Sequence, residues 1–339
     1  MGKDKLGKEK MNKDKKILII GGAGYIGSVI TNRAINERYK VKVLDLLWFN
    51  KKVPLVYITN PCYTFIKGDA YSDNVLDTAL DDIDYVIYTA AVVGDPASIK
   101  YPELTKRINI DTAKKVIDKC QGHGIKGFIF FSTCSNYGIS NDGLATEETL
   151  LNPLSLYAET KVAIERYLSD NNNNLDWIIG RLSTVYGLSS RMRFDLTVNE
   201  FALKGYKDEY IDIFNPESYR PYIHTYDLAN IIVELVNKFE QTKNNIFNIG
   251  FNGENYQKIQ IAQAVQKFIP ELKIDIIKSG GDMRDYQVDF SKLSKYVNVK
   301  RVFNVEKSVE NIISTIKMGL FENTSSNQYY NTKPDLSEV

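Results

Sequence analysis

Residues 16–27 read KILIIGGAGYIG, a lysine and a four-residue apolar run that passes directly into glycines and then into a helical pattern. A strand with no polar face must be covered on both sides, which places it inside a sheet flanked by two layers of helix. Gly21, Gly24 and Gly27 follow at intervals of three. The first two permit a tight turn and a close backbone approach, and the third lets the next helix pack against the sheet. YIGSVITNRAINER (25–38) then carries Ile26, Ile30 and Ala34 at helical spacing.

The alternation continues. KVKVLDLL (40–47), YTFIKGDA (63–70), DYVIYTAA (84–91), GFIFFSTCS (127–135) and LDWIIGRLSTVYG (175–187) are separated by helical stretches such as PELTKRINIDTAKKVIDKCQ (102–121). Apolar strands alternating with helices predict an α/β chain, a doubly wound parallel sheet of Rossmann type with right-handed crossovers. NNIFNIG (244–250), after the helical YDLANIIVELVNKF (226–239), reads as one more strand. The first domain is therefore expected over 16–187 with 221–250 returning to it. The patchier segments 188–220 and 251–325 form a smaller α/β C-terminal domain over the carboxyl ends of the strands, 326–339 is a C-terminal tail, and the Asn171–Asn174 run ends a helix.

Charge excludes some functions. The net charge of +1 provides no global field for nucleic acid or an anionic membrane. Residues 1–16 hold seven lysines against three acids and no aromatic residue, so a disordered basic tail is expected over 1–15. No run approaches the roughly 18 apolar residues of a membrane span. Cys62, Cys120 and Cys134 are too scattered for a disulfide framework, and His123 and His224 are the chain's two histidines. The expectation is a cytoplasmic protein without a metal.

The glycine turn has the context of a dinucleotide site. A strand precedes it, a helix follows, and Asp45 ends the second strand 24 residues after Gly21. The helix N-terminus faces a diphosphate, with Tyr25 and Ile26 in its first turn. A carboxylate at Asp45 accepts the adenosine ribose hydroxyls and repels a 2′-phosphate, which favours NAD over NADP. Asp69, at the end of the third strand beside Ala70, either meets the adenine amino group or caps the next helix. Ala90 and Ala91, ending the fourth strand, complete the expected cofactor groove.

NPLSLYAETKVAIERYL (152–168) places Tyr157 and Lys161 one helical turn apart. The same Tyr-x-x-x-Lys spacing starts at Tyr63, Tyr296 and Tyr329 in a chain with 22 tyrosines. By itself the pair is as consistent with a solvated helix face as with chemistry. STCSNYG (132–138) supplies the context: Thr133 ends a strand 24 residues before Tyr157.

The glycine spacing and STCSNYG together resemble the extended short-chain dehydrogenase/reductase family, whose members act mostly on nucleotide sugars, and the resemblance runs from about residue 16 to 320. It implies that Thr133, Tyr157 and Lys161 form a catalytic triad, with Tyr157 and Lys161 also touching NAD. A free tyrosine titrates near about 10. A lysine ammonium and a positive nicotinamide would lower that value, so Tyr157 could take a sugar hydroxyl proton while Thr133 holds the same oxygen.

In the family, 4,6-dehydratases follow the threonine with an Asp-Glu pair; Cys134 and Ser135 stand here instead. Dehydration is disfavoured, which leaves redox chemistry at a sugar carbon, most often C4. RMRFDLTVNEF (191–201), YRPYIHTYDLA (219–229) and GGDMRDYQVD (280–289) resemble a branch containing nucleotide-sugar 4-epimerases and a GDP-heptose C4 dehydrogenase. The branch pattern implies that Asn199 and Arg220 contact the substrate diphosphate, Asp282 the nucleotide ribose, and Arg284 a phosphate or sugar, with Cys134 and Ser135 lining the sugar pocket. Arg191 and Arg193 either serve the site or pair with Asp195. His224 and Asp227 join strand to helix. The reading is an epimerase acting as a homodimer, with a net dehydrogenase or 4-keto reductase, or a non-catalytic NAD-binding regulator, as alternatives.

Overall fold

The computed structural model describes residues 15–169, 174–277 and 282–336. The basic segment through residue 14 and residues 171–173 of the Asn171–Asn174 run lie outside these. Along the chain the strands are β1 (Lys16–Ile20), β2 (Lys40–Asp45), β3 (Tyr63–Lys67), β4 (Tyr85–Tyr88), β5 (Gly127–Thr133), β6 (Ile139–Ala145) and β7 (Trp177–Leu182). They continue as β8 (Thr184–Tyr186), β9 (Tyr210–Phe214), β10 (Tyr219–His224), β11 (Asn245–Ile249), β12 (Asn255–Gln257), β13 (Lys273–Ile277) and β14 (Asp285–Val288).

A seven-stranded sheet runs in the order β11-β7-β5-β4-β1-β2-β3, and every pairing in it is parallel. Strand alternation splits its side chains between two cores. Ile17 and Ile19 join one, whereas Leu18 and Ile20 join the other. Both faces are thus buried, as the apolar run of β1 requires. The chain lays β2 and β3 on one side of β1, then returns to place β4 on the other. Backbone N–H groups of Thr89 and Ala90 bond Ile20 O at 2.9 and 3.0 Å, so the crevice at this reversal opens beside the glycine turn, where such sheets bind ligands.

The 175–187 run divides into β7 and β8 because the chain changes sheets at Ser183. β8 pairs with β10, which pairs with β12. β9 with β13, and β6 with β14, make two further small sheets. The 102–121 stretch is helical with a local widening at Arg107–Thr112 between Pro102–Lys106 and Ala113–Gly122.

The expected C-terminal tail differs over its described part. Tyr329 is buried against Phe194 and Phe321. The Asn331 N–H bonds Asp195 Oδ2 at 2.8 Å, and the Asp335 N–H bonds Trp48 O at 2.9 Å. Aromatic burial and backbone hydrogen bonds hold this segment across the front of the sheet.

Gly27 marks the tightest point of the turn: a Cβ there would lie 2.1 Å from Gly21 O and 2.7 Å from Gly22 Cα. Both are backbone atoms, so the helix must move. Gly27→Ala is expected to destabilise the fold by about 1–3 kcal/mol, read as a lower urea midpoint.

Candidate active site

Two adjoining clefts lie over the carboxyl ends of the strands, enclosing about 1030 and 1420 Å³. They share Tyr25, Ile26, Thr89, Ala91, Val93, Arg193 and Asn331 along their common wall.

The first cleft brings together Gly21, Gly24, Tyr25, Ile26, Gly27 and Asp45 with Asp69, Ala70, Ala90 and Ala91 from the next strand ends. Gly21 adopts φ +86°, and a Cβ on it would come within 2.7 Å of Ala90 N. The helix Tyr25–Asn36 begins at Gly24 with no side-chain cap and no acid in its first turn. Its N-terminal charge therefore remains available to an anion, which fits a dinucleotide diphosphate. Asp45 is fixed by the N–H groups of Ala23 and Leu47, at 3.0 and 2.8 Å. Burial pushes its carboxyl above the ordinary range against the pull of those two donors. Asp69 takes the Tyr71 N–H and pairs with Arg107, both at 2.9 Å. Ser72, not Asp69, holds the N-cap position of the helix Asp73–Leu80.

The second cleft brings Thr133, Ser135, Tyr157 and Lys161 together with Arg220, Asp282 and Arg284. Tyr157 and Lys161 project from one face of the helix Leu156–Ser169, and Thr133 ends β5. Burial pushes the Tyr157 phenol up to about 12; the positive charge of Arg193 opposes this, the negative charge of Asp95 adds to it, and Arg284 and a hydrogen bond with Thr133 pull it down. Burial draws Lys161 down to about 7, partly countered by Glu165. The Lys161 ammonium lies 4.8 Å from the centre of the Phe130 ring and 5.9 Å from that of Tyr157.

Deeper in the second cleft, Arg220 Nη2 meets Asp282 at 3.0 Å, and Arg284 grips the same carboxylate through Nε at 2.8 Å and Nη2 at 2.6 Å. Burial pushes Asp282 up, but the Arg284 and Arg220 charges outweigh it and hold the group well below the usual carboxylate range. Lys258 also lines this end. Arg220, Arg284 and Lys258 set against the carboxylates of Asp282 and Asp95 leave positive charge suited to a diphosphate.

Two expected substrate residues lie elsewhere. Asn199 is fully buried, accepting the Gly187 N–H at 3.0 Å and donating to Tyr25 Oη at 3.0 Å and Arg193 O at 2.9 Å. It anchors the loop instead of meeting a ligand, because the helix Thr197–Asp208 turns it inward. Cys134 is likewise buried, its thiol donating to Arg181 O at 3.2 Å. Burial raises its pKa further. His224 caps the helix Thr225–Asn237, and Asp227 receives the Val302 and Phe303 N–H groups at 3.0 Å.

Sequence reasoning missed a buried ion pair beneath the site. Arg181 on β7 donates to both Glu165 oxygens, with Nη2 at 2.7 Å from Oε2. Glu165 also accepts Ser132 Oγ and, at 2.9 Å, Asn136 Nδ2. Burial draws Arg181 down, but the Glu165 contacts prevail and keep it charged. The available signal was Glu165 itself, an acid one turn past Lys161 in an otherwise apolar helix face. Asp95 and Lys258 were missed as well, since they come from loops and helix starts with no recognisable spacing.

Fold and site together define an NAD-dependent enzyme of the extended short-chain dehydrogenase/reductase type. Residues 17–250 match the NAD dependent epimerase/dehydratase family, and the chain belongs to it. It is 26% identical over 326 residues to the UDP-glucose 4-epimerase of Lactobacillus helveticus, covering 88% of this chain and 95% of that one. The UDP-arabinose 4-epimerase 1 of Arabidopsis thaliana is 27% identical over 327 residues, covering 87% and 77%. The crystal structure of the UDP-glucuronic acid 4-epimerase from Bacillus cereus, in complex with UDP-glucuronic acid and NAD, superposes with a TM-score of 0.81 at 25% identity, covering 89% and 99%.

Glu165→Gln leaves the buried Arg181 charge without its counter-ion and is expected to destabilise the protein by about 3–5 kcal/mol, measured by urea unfolding. Lys161 gives a pH signature. Its pKa falls from 10.5 to about 7 on folding, so within that window the unfolded chain holds the extra proton. Its stability contribution is present above the upper value and lost as pH falls through the lower one. The melting-temperature advantage of Lys161→Met over the cofactor-free parent should therefore be larger near pH 7 than at about pH 9.5.

Proposed function

We propose that this chain is an NAD-dependent nucleotide-sugar 4-epimerase, a cytoplasmic homodimer. The observation that supports the reading is that Thr133, Tyr157 and Lys161 line one cleft adjoining the dinucleotide crevice, with the Thr133 side chain hydrogen-bonded to the Tyr157 phenol and Lys161 Nζ 5.9 Å from the centre of the Tyr157 ring. The chemistry NAD supplies when bound is reversible hydride transfer with the sugar carbon. Tyr157, as phenolate, takes the proton of the sugar hydroxyl on that carbon and later returns it. Thr133 hydrogen-bonds the same oxygen, and Lys161 favours the phenolate by its charge whenever protonated. A phenol raised by burial needs that help, and the positive charges of Arg193 and Arg284 add to it.

Arg220, Arg284 and Lys258 support a diphosphate-linked substrate. Arginine forks suit paired phosphate oxygens, and the lysine supplies a further point charge. The two positions after Thr133 do not support dehydration: Cys134 is an enclosed thiol spent on a backbone carbonyl, and Ser135 carries no acid–base group. Among the described residues no helix is long and apolar enough to cross a membrane. The homodimer follows the family pattern, in which two helices per subunit pack together. Here Ala113–Gly122 and Leu156–Ser169 lie side by side, joined by a 2.6 Å hydrogen bond from Tyr167 to Asp118.

Incubation with UDP-, GDP-, CDP- and dTDP-sugars should interconvert one pair of C4 epimers with no net rise in reduced nicotinamide absorbance. Stoichiometric or continuing reduction would replace the epimerase with a net C4 dehydrogenase. Tyr157→Phe is expected to lower kcat by at least about a hundredfold while leaving NAD affinity largely intact. Full turnover in that variant would overturn the reading.

A further inference from the structure

Arg191 belongs to the chain that follows β8 into the smaller half of the molecule, yet its side chain enters the dinucleotide cleft. It is 2% exposed and is among the largest fully buried side chains. Its guanidinium carbon stacks 3.8 Å from the centre of the Phe49 ring, which belongs to the loop following Asp45. Its Nε and Nη2 atoms are buried without a hydrogen-bond partner among the described residues.

The surroundings do not neutralise it. Asp195, the nearest acid in sequence, is taken by Arg193 Nε at 2.8 Å. Asp45 lies within electrostatic reach, but its two oxygens accept the N–H groups of Ala23 and Leu47. Burial, with the like charge of Arg193, pulls the Arg191 guanidinium down to about 9. A buried charge without hydrogen bonds is an expensive arrangement unless a partner arrives from outside.

The backbone around it is fixed. Ser189 Oγ accepts the Arg191 N–H at 3.2 Å, donates to Tyr25 O at 2.7 Å, and lies 2.9 Å from Ser28 Oγ. The loop is thus tied to the first turn of the very helix whose N-terminus is left uncapped. From Phe49 to Gly24 the cleft wall then presents an aromatic plate, a guanidinium with two idle donors, and unclaimed backbone N–H groups, all facing the same enclosed space.

We infer that Arg191 is a cofactor-binding residue: its Nε and Nη2 donate to the diphosphate of NAD and clamp it from the side opposite the glycine turn. The Phe49 plate holds the fork in the cleft when the cofactor is absent, so little side-chain freedom is lost on binding. Because the arginine comes from the smaller half, the same contact ties that half to the dinucleotide. The inference rests on NAD as the cofactor and on nothing about the sugar, so it can fail while the epimerase reading stands, and the reverse.

The test uses the full chain stripped of nucleotide, with Arg191→Met and Arg191→Lys as variants. Calorimetric titration with NAD, ADP, NADP, 2′-AMP and adenosine, without sugar, is the readout. Arg191→Met should weaken NAD and ADP by about ten- to a hundredfold and leave adenosine unchanged, with Arg191→Lys in between. Cofactor-free Arg191→Met should melt at or above the parent temperature, since an unpaired buried charge has been removed, while the upward shift produced by saturating NAD shrinks. Unchanged NAD and ADP affinities would overturn the inference. So would a loss confined to NADP and 2′-AMP, which would assign the charge to a ribose 2′-phosphate. A lower cofactor-free melting temperature with an undiminished NAD shift would reduce Arg191 to a structural residue and overturn it as well.

Discussion

A single buried ion pair aligns the groups proposed to react. Glu165 leaves the helix that carries Tyr157 and Lys161, and Arg181 leaves β7 beside the strand that ends in Thr133. The carboxylate also holds Ser132, the residue before Thr133, and Asn136 beyond it. The guanidinium continues to Tyr137 Oη at 3.0 Å, and that hydroxyl donates to Asn248 on β11 at 2.6 Å. Helix, two neighbouring strands, the turn after β5 and the sheet edge are therefore referenced to one another through directional bonds. Apolar packing alone tolerates sliding; a bidentate pair with every oxygen engaged does not.

Directionality matters because the reactive groups are individually ill-suited to their work. Burial that shields the site also raises the Tyr157 phenol and lowers the Lys161 ammonium. The two shifts oppose phenolate formation together. What opposes the rise of the phenol is charge at fixed distance, from Arg193 and Arg284. Glu165 favours protonation of Lys161 from one turn away. The pair beneath the site thus acts both as a geometric reference and as a source of negative potential for Lys161. Asp95 works against the phenolate, but its carboxylate is held 3.1 Å from Arg284, which limits its reach.

The main sheet was legible because its strands are buried on both faces and so are written as unbroken apolar runs; β1, β4 and β5 could be read directly. The strands of the smaller half were not. β9 buries only Ile211 and Ile213, and β12 and β13 bury no residue, in sheets of two or three strands, so their short sequences carry little apolar signal. Among site residues, the glycine turn and Asp45 were legible because close backbone approach leaves few residue choices. Thr133 and Tyr157 needed the context of a strand end and a helix. Asn199 and Cys134 were misassigned because a sequence pattern gives position along an element but not which way the side chain faces. The C-terminal segment was misread because its polar composition hides Tyr329, which the fold buries.

That segment and the loop after β8 join the two clefts into one device. Arg191 faces the dinucleotide side, Arg193 stands on the shared wall, and Asp195 binds both Arg193 and the Asn331 N–H. Asn331 lines both clefts, and Asn199 secures Arg193 O from below. The connections that Asp195 and Asn199 make across this wall are hydrogen bonds and an ion pair with defined geometry, so a ligand that orders the wall from one side has already ordered it for the other. For a reaction in which hydride must cross between two separately bound molecules, a common wall fixes their separation more economically than two independent pockets, because one set of ordered side chains serves both distances.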